Sequence, residues 1–223
     1  MILILLLTVS IIPLLCVFIF RRALRITLPV FLPAIAAGIF SLIAAAVTQG
    51  ILPLAQGGGR LARAYDIFVR IALTEEGFRF LFLLALSAVL KKHSRPAAVG
   101  PPLLACGLTA GFAFAALETA IFAASAADMM VLRLITAAPL HGACGIRCAM
   151  AARSLFAPVG GGETVKPRKT GGPLFYAIAL HGFYDTLIVC GGLFTAAAAL
   201  FAITSLISGC LTIKNENKAA AIQ

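Results

Sequence analysis

The sequence predicts an all-α polytopic membrane protein of about seven transmembrane helices, and three observations lead there. Hydrophobic residues make up 61% of the 223-residue chain and charged residues 12%, against about 45–50% and about 25% in a soluble domain. Mean hydropathy is +1.06. The apolar residues also fall in runs of roughly 18–28, long enough for a helix rising about 1.5 Å per residue to cross a bilayer.

The runs follow in order. The first, 2–20, lacks the basic start and small-residue cleavage site of a signal peptide and reads as a retained helix. The second, 26–53, has Pro29 and Pro33 near its start. The third, 67–90, ends at "KKHSRP". The fourth, 101–125, opens on "GPP", where proline suits the first helical turn. The fifth, 130–151, gives way to the polar loop "SLFAPVGGGETVKPRKTGGP". The sixth, 173–190, is parted from the seventh, 193–212, by Gly191 and Gly192, and the tail "TIKNENKAAAIQ" is expected to fray. No internal repeat is visible. Loops this short leave no room for a soluble domain, so residues 1–223 read as a single integral-membrane domain.

Charge orients the bundle. Arg21, Arg22 and Arg25 follow the first run, Lys91, Lys92 and Arg95 the third, and Arg153, Lys166, Arg168 and Lys169 the fifth; Lys214 and Lys218 lie in the tail. The alternate connections are poorer: Arg60 and Arg63 stand against Asp66, only Asp128 marks 126–129, and 191–192 carries no charge. The positive-inside rule then predicts an N-terminus outside and a C-terminus in the cytoplasm. The net charge of +10 is spread over these loops, not gathered on a stripe, which argues against nucleic acid and for anionic lipid headgroups as its partner. The six cysteines lie in or beside apolar runs with no CxxC pair, which suits packing better than disulfides.

Polar residues inside the runs are the informative ones. Of 8 acidic residues, Glu75, Glu76, Glu118 and Asp185 fall within spans, as do His141 and His181 among 3 histidines. At about 1.5 Å per residue, Glu75 and Glu76 lie roughly 12–14 Å below the outer end of the third helix and Glu118 about 10 Å down the fourth. His141 comes about 17 Å down the fifth and His181 about 15 Å down the sixth, with Asp185 one turn nearer the outside. One slab of the bundle thus collects them all. A charge at helix centre costs roughly 2.5–3.5 kcal/mol, so such residues face the bundle interior or a wet cavity and mark a functional site.

Local spacing adds detail. Arg79 lies four residues from Glu75 and three from Glu76, so it can neutralise one of them and leaves the other without a partner on its own helix. Gly107, Gly111, Ala115 and Glu118 form one stripe on which small residues admit a close neighbour. Cys144 and Cys148 lie near the face of His141, where packing explains them more simply than a metal set. In "HGFYD", Asp185 sits one turn from His181 and can orient its imidazole. Carboxylates and imidazoles around a wet cavity suit hydrolysis. Either two histidines and a glutamate hold a Zn²⁺-like ion with the other glutamate as base, or a glutamate and a histidine activate water with no metal while His181 and its neighbour stabilise the oxyanion. Neither a Ser/Cys nucleophile motif nor HExxH is present.

These residues resemble a family. "EEGFR" (Glu75, Glu76, Arg79) is similar to the EExxK/R element of PrsW-type intramembrane proteases, and "FAALE" (Phe114 to Glu118) to their FxxxE element. His141 matches their single histidine in the next helix, and "HGFYD" (His181, Asp185) their HxxxN/D element, all in order within 65–190. The related type II CAAX prenyl endopeptidases carry one more residue before the arginine and a histidine where this chain has Glu118. Two positions depart from the pattern: Arg79 replaces the common lysine, and Thr119 the frequent asparagine. The resemblance implies proteolysis of a membrane-anchored protein near the extracytoplasmic side of a prokaryotic plasma membrane; in some members the substrate is an anti-sigma factor. It implies Glu75, Glu76, His141 and His181 as catalytic and Arg79, Phe114, Glu118 and Asp185 as supporting residues. A bound Zn²⁺ would be held by Glu76, Glu118, His141 and His181. Two alternatives stand beside it. One is a non-catalytic seven-helix scaffold like the related subunit of gamma-secretase, from which the glutamate pair separates this chain. The other is a proton-coupled transporter, for which inverted repeats are expected.

Overall fold

The structure, a computed structural model, describes residues 2–93, 100–123, 129–155 and 167–222; Arg95, Asp128 and Lys166 of the connecting loops lie outside them. The described residues contain helices and no strand. In chain order they are α1 (Ile2–Phe20), α2 (Leu28–Ile51), α3 (Arg60–Ala64), a π-helical stretch (Tyr65–Leu73), α4 (Thr74–His93), α5 (Gly100–Ala123), α6 (Met129–Ile135), α7 (Ala137–Ser154), α8 (Pro167–Cys190) and α9 (Leu193–Ile222).

Among the described residues, five segments are long and apolar enough to cross a membrane: Leu28–Ile51, Pro102–Phe122, Val131–Ser154, Gly171–Cys190 and Leu193–Ala219. They correspond to the second, fourth, fifth, sixth and seventh expected runs. The first run forms α1, which is apolar along its 19 residues. The third run, expected over 67–90, starts earlier and is continuous from α3 through the π-helical stretch into α4. It carries Asp66, Arg70, Glu75, Glu76 and Arg79, which sets it apart from the five apolar segments. The fifth run is interrupted at Thr136, whose φ of −118° and ψ of −63° separate α6 from α7. The tail expected to fray instead continues α9 to Ile222. It is fastened by an ion pair from Glu216 to Arg153 and by Asn217 Nδ2 donating to the Ala23 carbonyl at 3.5 Å.

Breaks between helices follow backbone chemistry. Pro29 occupies the first turn of α2, where its missing N–H costs nothing. Gly191 and Gly192 adopt φ of +67° and +55°, a left-handed pair that ends α8 and turns the chain into α9.

Packing centres on α7. Its buried face is built from Ala, Gly and Cys, and it contacts α4, α5, α8 and α9. The α5–α7 contact is the closest of these. A side chain at Gly107 would strike the Gly145 carbonyl, one at Gly111 the His141 carbonyl, and one at Gly145 the Gly107 carbonyl. Small residues thus let the two backbones touch, the usual device where lipid removes any hydrophobic drive between helices. Large apolar side chains point outward instead, among them Leu32 and Phe40 of α2, Phe175 and Phe183 of α8, and Leu200 and Ile207 of α9. The close α5–α7 crossing has a direct consequence for chemistry: it brings Glu118 of α5 against His141 of α7.

Candidate functional site

Four helices deliver the site. The π-helical stretch, whose wider turn is found mostly at functional positions, runs directly into Thr74, Glu75 and Glu76 at the start of α4. Glu118 comes from the end of α5, His141 from the first turns of α7, and His181 and Asp185 from α8. All the residues expected from sequence to carry chemistry are gathered here, and Glu75, Glu76, Arg79, His141 and His181 are buried.

The two adjacent glutamates have different partners. Glu76 is fully buried; its Oε2 pairs with Arg79 Nη1 and lies 3.4 Å from the Cys148 thiol. Its Oε1 lies 2.8 Å from His181 Nδ1. Arg79 is thereby neutralised, and its guanidinium stacks 4.2 Å from the Phe114 ring centroid. Phe114 also packs on the His141 ring at 4.7 Å. Losing one member of a buried ion pair strands the other and costs roughly 3–5 kcal/mol, so Glu76 and Arg79 hold each other in place. Glu75 turns the other way. Its Oε1 accepts from Gln49 Nε2 of α2 at 3.1 Å, and its buried Oε2 has no hydrogen-bond partner among the described residues.

Hydrogen bonding assigns the ring protons. A guanidinium only donates, so His141 Nδ1 accepts from Arg79 Nη2 at 3.2 Å. The His141 proton then sits on Nε2 and is donated to Glu118 Oε2 at 2.9 Å. Arg133 of α6 completes this branch, 2.5 Å from Glu118 and stacked on Phe122. His181 is wired in the opposite sense. Its Nδ1–H donates to Glu76, and its Nε2 lies 3.8 Å from Glu75 Oε2 and 3.6 Å from Asp185 Oδ2. The two histidine rings meet edge to face at 5.1 Å.

These groups line a cavity of about 390 Å³ that Glu75, Glu118, Arg133, His141, His181 and Asp185 share with apolar walls from α2, the π-helical stretch and α8. The separations of 3.6 and 3.8 Å around His181 Nε2 exceed a direct hydrogen bond. They suit a water touching both groups.

The residues also fit a metal ion. Ligand atoms of buried Glu75, His141 and His181 all lie within 4.8 Å of one another. Two histidines and a glutamate form a donor set of catalytic zinc sites. Glu75 Oε2 has no hydrogen-bond partner among the described residues, and the His181–Glu76 bond is the carboxylate support that ligating histidines use. His141 spends both nitrogens, on Arg79 and Glu118. It serves as a ligand only once one bond is released. Of the four ligands expected from sequence, His141 and His181 lie in this group, while Glu76 and Glu118 sit one hydrogen bond behind them. Cys144 and Cys148 turn away, toward the Ala177 carbonyl and Glu76.

Three residues that the sequence reading did not single out belong to the site. Gln49 holds Glu75 and also reaches Thr74 Oγ1 at 3.1 Å. Arg133 braces Glu118. Tyr184, on the cavity wall, donates to Thr136 Oγ1 at 2.8 Å and so ties α8 to the α6–α7 break. For Gln49 and Arg133 the signal was a polar residue near the end of an apolar run, which is weak where loops begin; Tyr184, inside the sixth run, gave none beyond its hydroxyl.

Residues 26–208 match the family model described as PrsW family intramembrane metalloprotease. No curated protein and no solved structure matches the chain.

Proposed function

The chain belongs to the PrsW family of intramembrane metalloproteases, and from that premise we propose that it hydrolyses a membrane-anchored protein with water activated between Glu75 and His181. One observation carries this: Glu75 Oε2 is a buried carboxylate oxygen with no hydrogen-bond partner among the described residues, facing His181 Nε2 across 3.8 Å at the cavity wall. A base needs an open lone pair within reach of a water proton, and Glu75 has one while Glu76 has none to spare.

Each neighbour has a defined part. Gln49 fixes the Glu75 carboxylate through its other oxygen, and Glu76 fixes the His181 ring through Nδ1. Glu75 takes the water proton as the oxygen attacks the scissile carbonyl, then returns it to the leaving amine. The Arg133 guanidinium lines the same cavity and stabilises the negative oxygen that forms, joined by the His141 Nε2–H once its bond to Glu118 is released. Where an ion is bound, Glu75, His141 and His181 hold it, with Asp185 beside His181 as the nearest free carboxylate to receive the proton. Such an ion supplies Lewis acidity, acidifying water and polarising the carbonyl. The apolar cavity walls admit an unwound substrate helix and limit bulk water. In the cell this reading puts the cavity in the extracytoplasmic half of a seven-span bundle in a prokaryotic plasma membrane, with the N-terminus outside.

The test is cleavage of single-span peptides by the purified full-length chain in liposomes, with and without chelator. Wild type cleaves and Glu75→Gln lowers the rate by about 10²–10⁴. Loss in chelator with rescue by Zn²⁺ selects the metal-held arrangement, and full activity in chelator selects the metal-free one. Wild-type cleavage by Glu75→Gln overturns the reading.

A further inference from the structure

A second cavity, of about 550 Å³, lies at the opposite end of the bundle, between the turn that follows α1 and the last turns of α9. Its cationic rim is Arg25, Lys214 and Lys218, and its apolar base includes Leu24 and Ile213. Among the described residues no carboxylate lines it. Glu216, the acidic residue nearest in sequence, is turned to Arg153, and none of the three cations has an ion-pair partner among the described residues.

The site is built, not incidental. Ile213, Lys214, Asn217 and Lys218 lie at spacings of one, three and four on one face of α9. Arg25 sits at φ +58°, a left-handed conformation that costs energy for any residue with a Cβ. The turn that imposes it is closed by Ile26 N–H donating to the Arg21 carbonyl at 2.9 Å and Arg25 N–H to the Arg22 carbonyl at 3.1 Å. Asn217 fastens the turn to α9 through Nδ2, while its buried Oδ1 has no partner among the described residues. The cavity therefore offers three positive charges, one acceptor awaiting a donor and an apolar floor.

We infer that this cavity binds the headgroup of an anionic phospholipid. The phosphate answers the three cations, a hydroxyl of a glycerol-type headgroup donates to Asn217 Oδ1, and the upper acyl chain lies on Leu24 and Ile213. Basic pockets between helices at the membrane edge take lipids of this chemistry, each cation contributing roughly fivefold in affinity. The exposed large side chains Phe20 and Leu211 beside the cavity continue the apolar surface toward the acyl region.

The experiment uses the full-length chain in uncharged detergent, titrated with phosphatidylglycerol, phosphatidylcholine or inorganic phosphate, with bound lipid read by native mass spectrometry and thermal unfolding in parallel. The expected result is retention of phosphatidylglycerol at least tenfold tighter than phosphatidylcholine. It falls by roughly 100-fold in an Arg25→Gly/Lys214→Gln/Lys218→Gln variant, in which glycine keeps the left-handed turn. Arg60→Gln/Arg63→Gln, at the other end of the bundle, leaves it unchanged and controls for net charge. Undiminished lipid preference in the folded triple variant overturns the proposal. So does equal binding of the two lipids, or thermal protection by millimolar phosphate that matches that of the lipid.

Discussion

The two ends of this bundle handle charge in opposite ways. Around α4, α5, α7 and α8, two glutamates, an arginine and two histidines are buried, and each is held by a neighbour on another helix. At the end where the turn after α1 meets α9, Arg25, Lys214 and Lys218 are exposed and unpaired among the described residues. The difference follows from the solvent each end meets. A charge inside apolar surroundings must bring its counter-charge with it, whereas a charge at the membrane edge can take water or a lipid phosphate. The first arrangement fixes geometry, as hydrolysis requires. The second leaves charge available to something outside the chain.

Four variants measure how far the two ends differ, beginning with the buried ion pair. Arg79→Ala strands buried Glu76 and removes a donor from His141, so a loss of about 3–5 kcal/mol is expected by thermal or denaturant unfolding in detergent. Wild-type stability would mean that the pair is not buried as described. Gly145→Leu pushes α7 away from the Gly107 carbonyl and separates Glu118 from His141; overpacking of this kind costs about 1–3 kcal/mol. Cleavage should fall further than stability, because the crossing sets site geometry. Gln49→Ala removes one hydrogen bond to a carboxylate, an effect of about 1.5 kcal/mol or roughly tenfold. It should appear in kcat for peptide cleavage with little change in unfolding temperature. Lys214→Gln/Lys218→Gln, at the exposed end, should alter stability by no more than about 0.5 kcal/mol in uncharged detergent, which makes it the smallest effect and the measure of the contrast.

Much of this arrangement was legible in the sequence, and the particular residues show why. Apolar runs gave the helices, since nothing but lipid or core tolerates such lengths. Equal depths on four runs placed Glu75, Glu76, Glu118, His141 and His181 in one slab, and the Gly107–Gly111 stripe called for a close neighbour, which the structure supplies as α7. Which glutamate pairs with Arg79 was not legible, because spacings of three and four are both allowed on a helix. The choice is made by partners distant in sequence: His181 and Cys148 take Glu76, and Gln49 takes Glu75. The break at Thr136 and the π-helical stretch were hidden for a related reason. Both are local departures from regular winding that periodicity in apolar residues does not register.

The central claim is that adjacent carboxylates divide the work, Glu76 holding the site together and Glu75 acting on water. The most direct measurement compares Glu75→Gln with Glu76→Gln for both peptide cleavage and unfolding temperature. The account predicts that Glu75→Gln abolishes cleavage while unfolding no earlier than wild type, because the replaced oxygen had no partner to lose. It predicts that Glu76→Gln unfolds earlier, with Arg79 left unneutralised. Wild-type cleavage by Glu75→Gln, or destabilisation of that variant equal to that of Glu76→Gln, would contradict it.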